Sequence, residues 1–237
     1  QLLEQCENTP KVTINEVSID LAHACSILAS WDNRYDLNSR GAVLFREWLT
    51  RYDYTATQYS GKLFADKFDA AKPAITPAEL VQTERPLVAL AEAVELLNNQ
   101  GIALDIPLGD IQKAHRAGTK FPVHGGNRHE GIANLQVTRP YIDSPIFSGA
   151  NDRLMDSQTL SSSGYNIAHG SSFIMTLSFT EAGPRAQAIL SYSQSGSPGA
   201  ENFSDQTARY RDKAWRDIHF EESEIGKHAV SRLLLRE

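Results

Sequence analysis

The chain has 237 residues, 41% hydrophobic and 22% charged, the make-up of a globular protein with one large core or two smaller ones. Its formal net charge of −6 disfavours nucleic acid or an anionic membrane surface as a partner. No apolar run approaches the length of a membrane span.

Gln1 opens in helix-like sequence, with neither an initiator Met nor a signal-peptide pattern before it, so a processed product or excised piece is expected. Gln1 to Glu7 reads as the end of a helix. Ser18 or Asp20 opens the next helix, with Leu21, Ala24, Cys25, Leu28 and Trp31 on one face. Ser39 is placed as the cap of a third, striped by Val43, Leu44, Trp48 and Tyr52. Such stripes belong to a core, because burial is what sustains an amphipathic face.

Tyr52 to Pro73 carries no sustained period and reads as a long connection. Thr76-Pro77 has the form of an N-cap with Pro at the first helical position. Pro86 stands just inside the strongest helix, whose face is Leu87, Leu90, Ala91, Val94 and Leu97, and Gly101 stands just past its end. Leu108 to His115 reads as one more short helix.

From Lys120 the character changes. Strands are expected near Ile132 to Val137, Tyr165 to His169, Phe173 to Phe179, Ala186 to Ser193 and Val230 to Leu235. Gly183-Pro184 makes Phe173 to Ser193 a hairpin. Tyr141 to Ser163 reads as a surface connection, and Asp205 to Trp215 as a short helix behind Ser204. The result is α+β: a mainly helical segment over residues 1–116 and a strand-rich, mainly antiparallel one over 117–237.

The most enzyme-like local feature is His124-Gly125-Gly126, followed by His129-Glu130. Two imidazoles five residues apart on a loop can meet a metal, yet no third ligand is local, and a glycine-rich turn explains the pattern as well. His169-Gly170-Ser171-Ser172 resembles half of a Ser/His pair, but neighbours along a strand point to opposite faces. Ser193-Gln194-Ser195-Gly196 is not a nucleophile elbow, and no phosphate-binding loop is present. Glu221, Glu222 and Glu224 read as the solvated first turn of a helix rather than a metal site. Cys6 and Cys25 read either as two small buried hydrophobes or as a disulfide.

Four collinear stretches carry a family resemblance: the AC-x-IL-x-x-WD pattern within Leu21 to Trp48, FPVHGGNRHEGIANL over Phe121 to Leu135, IAHGSSFIMTLSF over Ile167 to Phe179, and YSQSGSPGAENFSDQTARYRDKAWRDIHFEESEI over Tyr192 to Ile225. They resemble the C-terminal part of the β-subunit of penicillin acylases, and acyl-homoserine lactone acylases in particular. The resemblance implies a share in the αββα architecture of the N-terminal-nucleophile hydrolases. It also implies a cleaved precursor (zymogen) and a bacterial periplasm, where disulfides persist.

The implied activity is hydrolysis of the amide of N-acyl-homoserine lactones, hence quorum quenching, with no cofactor. β-Lactam or glutaryl acylases are the alternative, as is a non-catalytic module of the same fold. In the family the nucleophile is a Ser at the first position of the β-subunit, activated by its own α-amino group. Position one here is Gln1, and no stretch matches the family's oxyanion-hole Asn or its neighbouring Arg. No residue of this chain is therefore assigned as catalytic, cofactor-binding or metal-ligating. The implied partners are the α-subunit, the N-terminal part of the β-subunit and an acyl-amide substrate, and a sheet edge lacking its neighbours makes self-association possible.

Overall fold

The computed structural model describes residues 1–55, 64–80, 85–127, 130, 134–137, 157 and 159–235. They form two compact units, Gln1–Gly170 and Ser171–Glu237, described separately below.

In the first unit the leading element is α1 (Leu2–Asn8). A hairpin follows, β1 (Lys11–Ile14) and β2 (Val17–Asp20), paired antiparallel with Ile14 opposite Val17. Ser18 and Asp20 therefore lie in a strand, and the helix α2 (Ala22–Ser30) starts beyond them. The Asp20 carboxylate still accepts the Ala22 amide at 2.9 Å. Cys6 of α1 and Cys25 of α2 form a disulfide, Cα to Cα 6.0 Å.

Next come α3 (Ala42–Thr55), the short strands β3 (Phe64–Asp66) and β4 (Ala78–Leu80), and α4 (Arg85–Asn99). Thr76-Pro77 does not start a helix: its peptide bond is cis and it leads into β4. Nor does Ser39 cap α3; its hydroxyl accepts the Asp36 amide and donates to Asp32. The core lies between α3 and α4. Leu44, Trp48 and Tyr52 are buried on one side, Leu87, Leu90, Ala91, Val94 and Leu97 on the other. A run of ring contacts joins Trp31, Phe45, Trp48 and Tyr52, and the Trp48 indole donates to Pro86 O at 3.0 Å, fixing the start of α4 against α3. Gly41 has φ +106°, and a Cβ there would stand 2.8 Å from the Trp31 Cβ, so this junction accepts only glycine.

The expected helix from Leu108 to His115 is one turn, α5 (Leu108–Ile111), followed by β5 (Gln112–Arg116). Ala117 and Gly118 both have positive φ, which suits a two-residue hairpin turn into β6 (Thr119–Pro122). The sheet is completed by β7 (Leu135–Val137) and β8 (Tyr165–Gly170), in the order β6-β5-β8-β7. Its β5–β8 pair is parallel and its other pairs antiparallel. Of the expected strand Ile132 to Val137, residues 134–137 are described and the strand runs over Leu135–Val137; residues 138–156 lie outside the described residues.

The second unit is a three-stranded antiparallel sheet, β11-β10-β9. The hairpin β9 (Phe173–Thr180) and β10 (Gly183–Leu190) forms as expected, with Thr180 opposite Gly183. A loop leads to α6 (Asp205–Arg211), shorter than the expected Asp205 to Trp215, because the chain then turns into β11 (Arg216–Ile218) beside β10. After α7 (Glu222–His228), Val230 to Leu235 is not a strand. Val230, Leu233, Leu234 and Leu235 are 76–100% exposed, and no described strand pairs with them. The chain is α+β, as its composition of elements predicts.

Candidate functional site

The His124-Gly125-Gly126 stretch leaves β6 as a loop whose two glycines have their backbone groups hydrogen-bonded. The Gly125 amide donates to Tyr35 O at 2.8 Å, the Gly126 amide to Asn134 Oδ1 at 3.0 Å, and the Gln112 amide group donates to the carbonyls of Val123 and Gly125. Both glycines are needed for space. A Cβ on Gly125, at φ +110°, would sit 2.4 Å from Asn134 Oδ1, and one on Gly126 would sit 2.3 Å from Glu130 Oε2.

What the glycines make room for is Glu130. Its carboxylate receives the Asn127 amide at 2.8 Å and takes both arms of the Arg46 guanidinium, Nε to Oε1 and Nη2 to Oε2. The side chains of Arg46 and Glu130 are 0% and 2% exposed. The guanidinium carbon lies 4.5 Å from the centre of the Tyr165 ring and 5.4 Å from that of Tyr35. Beside Arg46 on α3, Glu47 is also fully buried. It accepts the Tyr165 hydroxyl at 2.7 Å, Ser157 at 3.2 Å and the Arg51 guanidinium at 2.6 Å. Two cations and two anions thus neutralise one another inside the first unit.

Burial works against the charge on Arg46, but Glu130, by its charge and its hydrogen bond, overrides it and holds the guanidinium protonated. Burial, and then the charge of Glu130, raises the Tyr35 hydroxyl well above its ordinary value of 10.0. Burial, and then Glu47, does the same for Tyr165. Burial and the paired charges hold both tyrosines and Arg46 protonated near neutral pH, and the cluster is a charge-balanced clamp. It ties α3 to the loop after β6 and to β8.

Of the serines weighed as nucleophiles, Ser193 and Ser195 have hydroxyls engaged with the backbone of the second unit, while Ser171 and Ser172 contribute their carbonyls. Ser193 Oγ accepts the Gln206 amide at 2.8 Å, Ser195 Oγ accepts the Ser197 amide at 3.0 Å, and the carbonyls of Ser171 and Ser172 receive Ser191. His129 and the side chain of His169 lie outside the described residues. Glu222 and Glu224 occupy the first turn of α7 as expected. Among the described residues, side chains able to hold a metal converge at His219, Glu224 and His228.

Sequence reading missed the Arg46–Glu130 pair. Its signal was Arg46-Glu47 set between Phe45 and Trp48 in an otherwise apolar stretch of the helix, Ala42 to Leu49. Adjacent opposite charges in that position are buried only when each finds a partner.

Residues 2–227 match the family model described as penicillin amidase. The chain belongs to the penicillin amidase family. Aculeacin-A acylase of Actinoplanes utahensis is 32% identical over 94% of this chain. The acyl-homoserine lactone acylases PvdQ of Pseudomonas savastanoi pv. phaseolicola and of Pseudomonas syringae pv. tomato are 30% and 31% identical over 91% and 86% of it. These matches cover 24–26% of the relatives, so the chain spans about a quarter of the length of the curated relatives it matches. Among solved structures, a thermostable penicillin G acylase from Alcaligenes faecalis is 17% identical, with TM-score 0.42 over 99% of this chain and 45% of that one. The relatives are acylases by name, and the family assignment reaches the chain from α1 to α7.

Proposed function

We propose that this chain is the C-terminal portion of the β-subunit of an acyl-homoserine lactone acylase. The observation that carries the reading is the collinear match over residues 2–227 to a family whose named relatives are four times longer. In the complete enzyme a hydroxyl carried by the remaining polypeptide attacks the amide carbon of an N-acyl-homoserine lactone. The oxyanion is held by backbone and Asn donors, the C–N bond breaks, and the amine leaves with the proton taken from the hydroxyl. Water then hydrolyses the acyl ester and releases the fatty acid. No step calls for a cofactor.

Within that enzyme the chain supplies scaffold. Segments 1–116 and 117–237 form one β-subunit portion, the second returning strands to an αββα core. Phe173, Met175, Leu177 and Phe179 alternate along β9 and are 43–84% exposed. An apolar stripe of that kind fits a surface covered by the α-subunit and the rest of the β-subunit, and in their absence it favours self-association. The Cys6–Cys25 disulfide suits a periplasmic location.

A second reading is favoured by the 32% identity to aculeacin-A acylase, which acts on aculeacin A by its name. The test is an assay of the complete encoded protein on a long-chain N-acyl-homoserine lactone and on aculeacin A, with the free amine as readout. Release from the lactone supports the first reading, release from aculeacin A alone supports the second, and release from neither refutes both.

A further inference from the structure

Helix α7 is seven residues long and buries no side chain. A helix that short does not stand by itself in water, where about 12–15 residues are marginal even for good formers, so contacts beyond its own backbone must fix it. Two are visible. Lys227 Nζ pairs with Glu224 Oε1 at 2.6 Å inside the helix. His228, its last residue, stacks on His219, which follows the end of β11; the ring centres are 4.1 Å apart and the planes 7° from parallel.

Glu224 and His228 are four residues apart and so share one face of α7, the spacing by which a helix presents two ligands to one ion. His219 reaches the same place from the strand. The three ligand atoms lie within 4.8 Å of one another, with His219 and His228 exposed and Glu224 half-buried. Ligands on a tetrahedral ion at 2.0–2.1 Å stand about 3.4 Å apart, so closing the set takes a contraction of at most about 1.4 Å, shared between exposed side chains that can rotate.

We propose that His219, Glu224 and His228 form a zinc site that fastens α7 to the end of β11. Two imidazoles and one carboxylate select a borderline ion such as Zn²⁺ over Ca²⁺ or Mg²⁺, which require oxygen ligands in larger number. Three protein ligands leave the fourth tetrahedral position for water. The surroundings favour a cation: Glu221, Glu222 and Glu224 stand against the single charge of Lys227 in this stretch. A carboxylate has two oxygens, so Glu224 can serve Lys227 and the ion together. Because the ring nitrogens' lone pairs lie in the ring planes, binding the ion turns the two exposed rings out of their parallel stack toward it. The site is independent of the acylase reading, and its test needs no substrate.

The test is equilibrium dialysis of the untagged 237-residue chain against Zn²⁺, with elemental analysis and a thermal melt, beside His219→Gln/His228→Gln and Glu224→Gln variants. One zinc per chain and a melting temperature that rises with zinc and falls back on chelation are expected. The double histidine variant should bind at least about tenfold more weakly, since even outer partners of metal ligands are worth 10–100-fold. Glu224→Gln keeps both rings and should also weaken zinc; it decides the matter if the double variant fails to fold. No stoichiometric zinc on the wild-type chain, unchanged affinity in a folded variant, or binding of Ca²⁺ in preference to Zn²⁺ would each overturn the assignment.

Discussion

Replacing Glu130 with Gln leaves the Arg46 guanidinium buried without its counter-charge. Breaking one side of a buried pair costs about 3–5 kcal/mol, far more than the pair contributes relative to apolar residues of the same size. Chemical denaturation should therefore show that loss for Glu130→Gln, and a clearly smaller loss for Arg46→Met/Glu130→Leu than the two single changes summed. Additive losses would mean that the two side chains do not act as a pair. Gly126→Ala should resemble Glu130→Gln, because the added methyl meets the Glu130 carboxylate. His115 offers a second test. Burial, then the nearby Lys120 ammonium, hold it below its ordinary value of 6.5, against a hydrogen bond with Asn166. The unfolded chain thus takes up the proton first as pH falls. The contribution of His115 to stability is complete above pH 6.5 and is lost as pH falls below it toward the folded value. Denaturation midpoints at about pH 7.5 and 5.5 should differ less in His115→Gln than in the wild type. An equal or larger difference would contradict the assignment.

At the scale of elements, the disulfide between α1 and α2 closes a loop of 19 residues' separation. Replacing both cysteines with Ser should lower stability by about 2–4 kcal/mol. Titration of the unreduced, unfolded chain should find no free thiol, and two reactive thiols would contradict the bridge. The elements that were legible in the sequence are those with both a period and punctuation. Helix α4 has its apolar face, Pro86 at its start and Gly101, at φ +65°, past its end. The hairpin of β1 and β2 has an equally regular alternation, Val12, Ile14, Val17 and Ile19, but it turns through Asn15 and Glu16 at positive φ without a glycine to announce it. Strand β5 was hidden for a different reason. Gln112 to Arg116 carries one aliphatic side chain, Ala114, and gains its place by pairing with β6 and β8, which no local pattern encodes. The Arg46–Glu130 contact joins positions 84 residues apart, and only the fold brings them together.

At the scale of the whole molecule, the stripe of β9 and the leucines near the C-terminus are exposed apolar side chains, which the proposed function assigns to contact with the rest of the enzyme. Sedimentation of the purified chain should show self-association that weakens in Phe179→Lys, the most exposed residue of the stripe at 84%. A strictly monomeric species at high concentration would contradict the exposed-surface account. The family was legible because four motifs survive in order along the chain. No catalytic residue was read from the sequence, and in the structure the hydroxyls of Ser193 and Ser195 accept backbone amides. The most direct measurement is therefore the simplest one: incubation of the purified 237-residue chain with a long-chain N-acyl-homoserine lactone, scored by release of the free amine. The account predicts no hydrolysis above the rate in buffer. Hydrolysis that a single Ser→Ala change within the chain abolishes would contradict it.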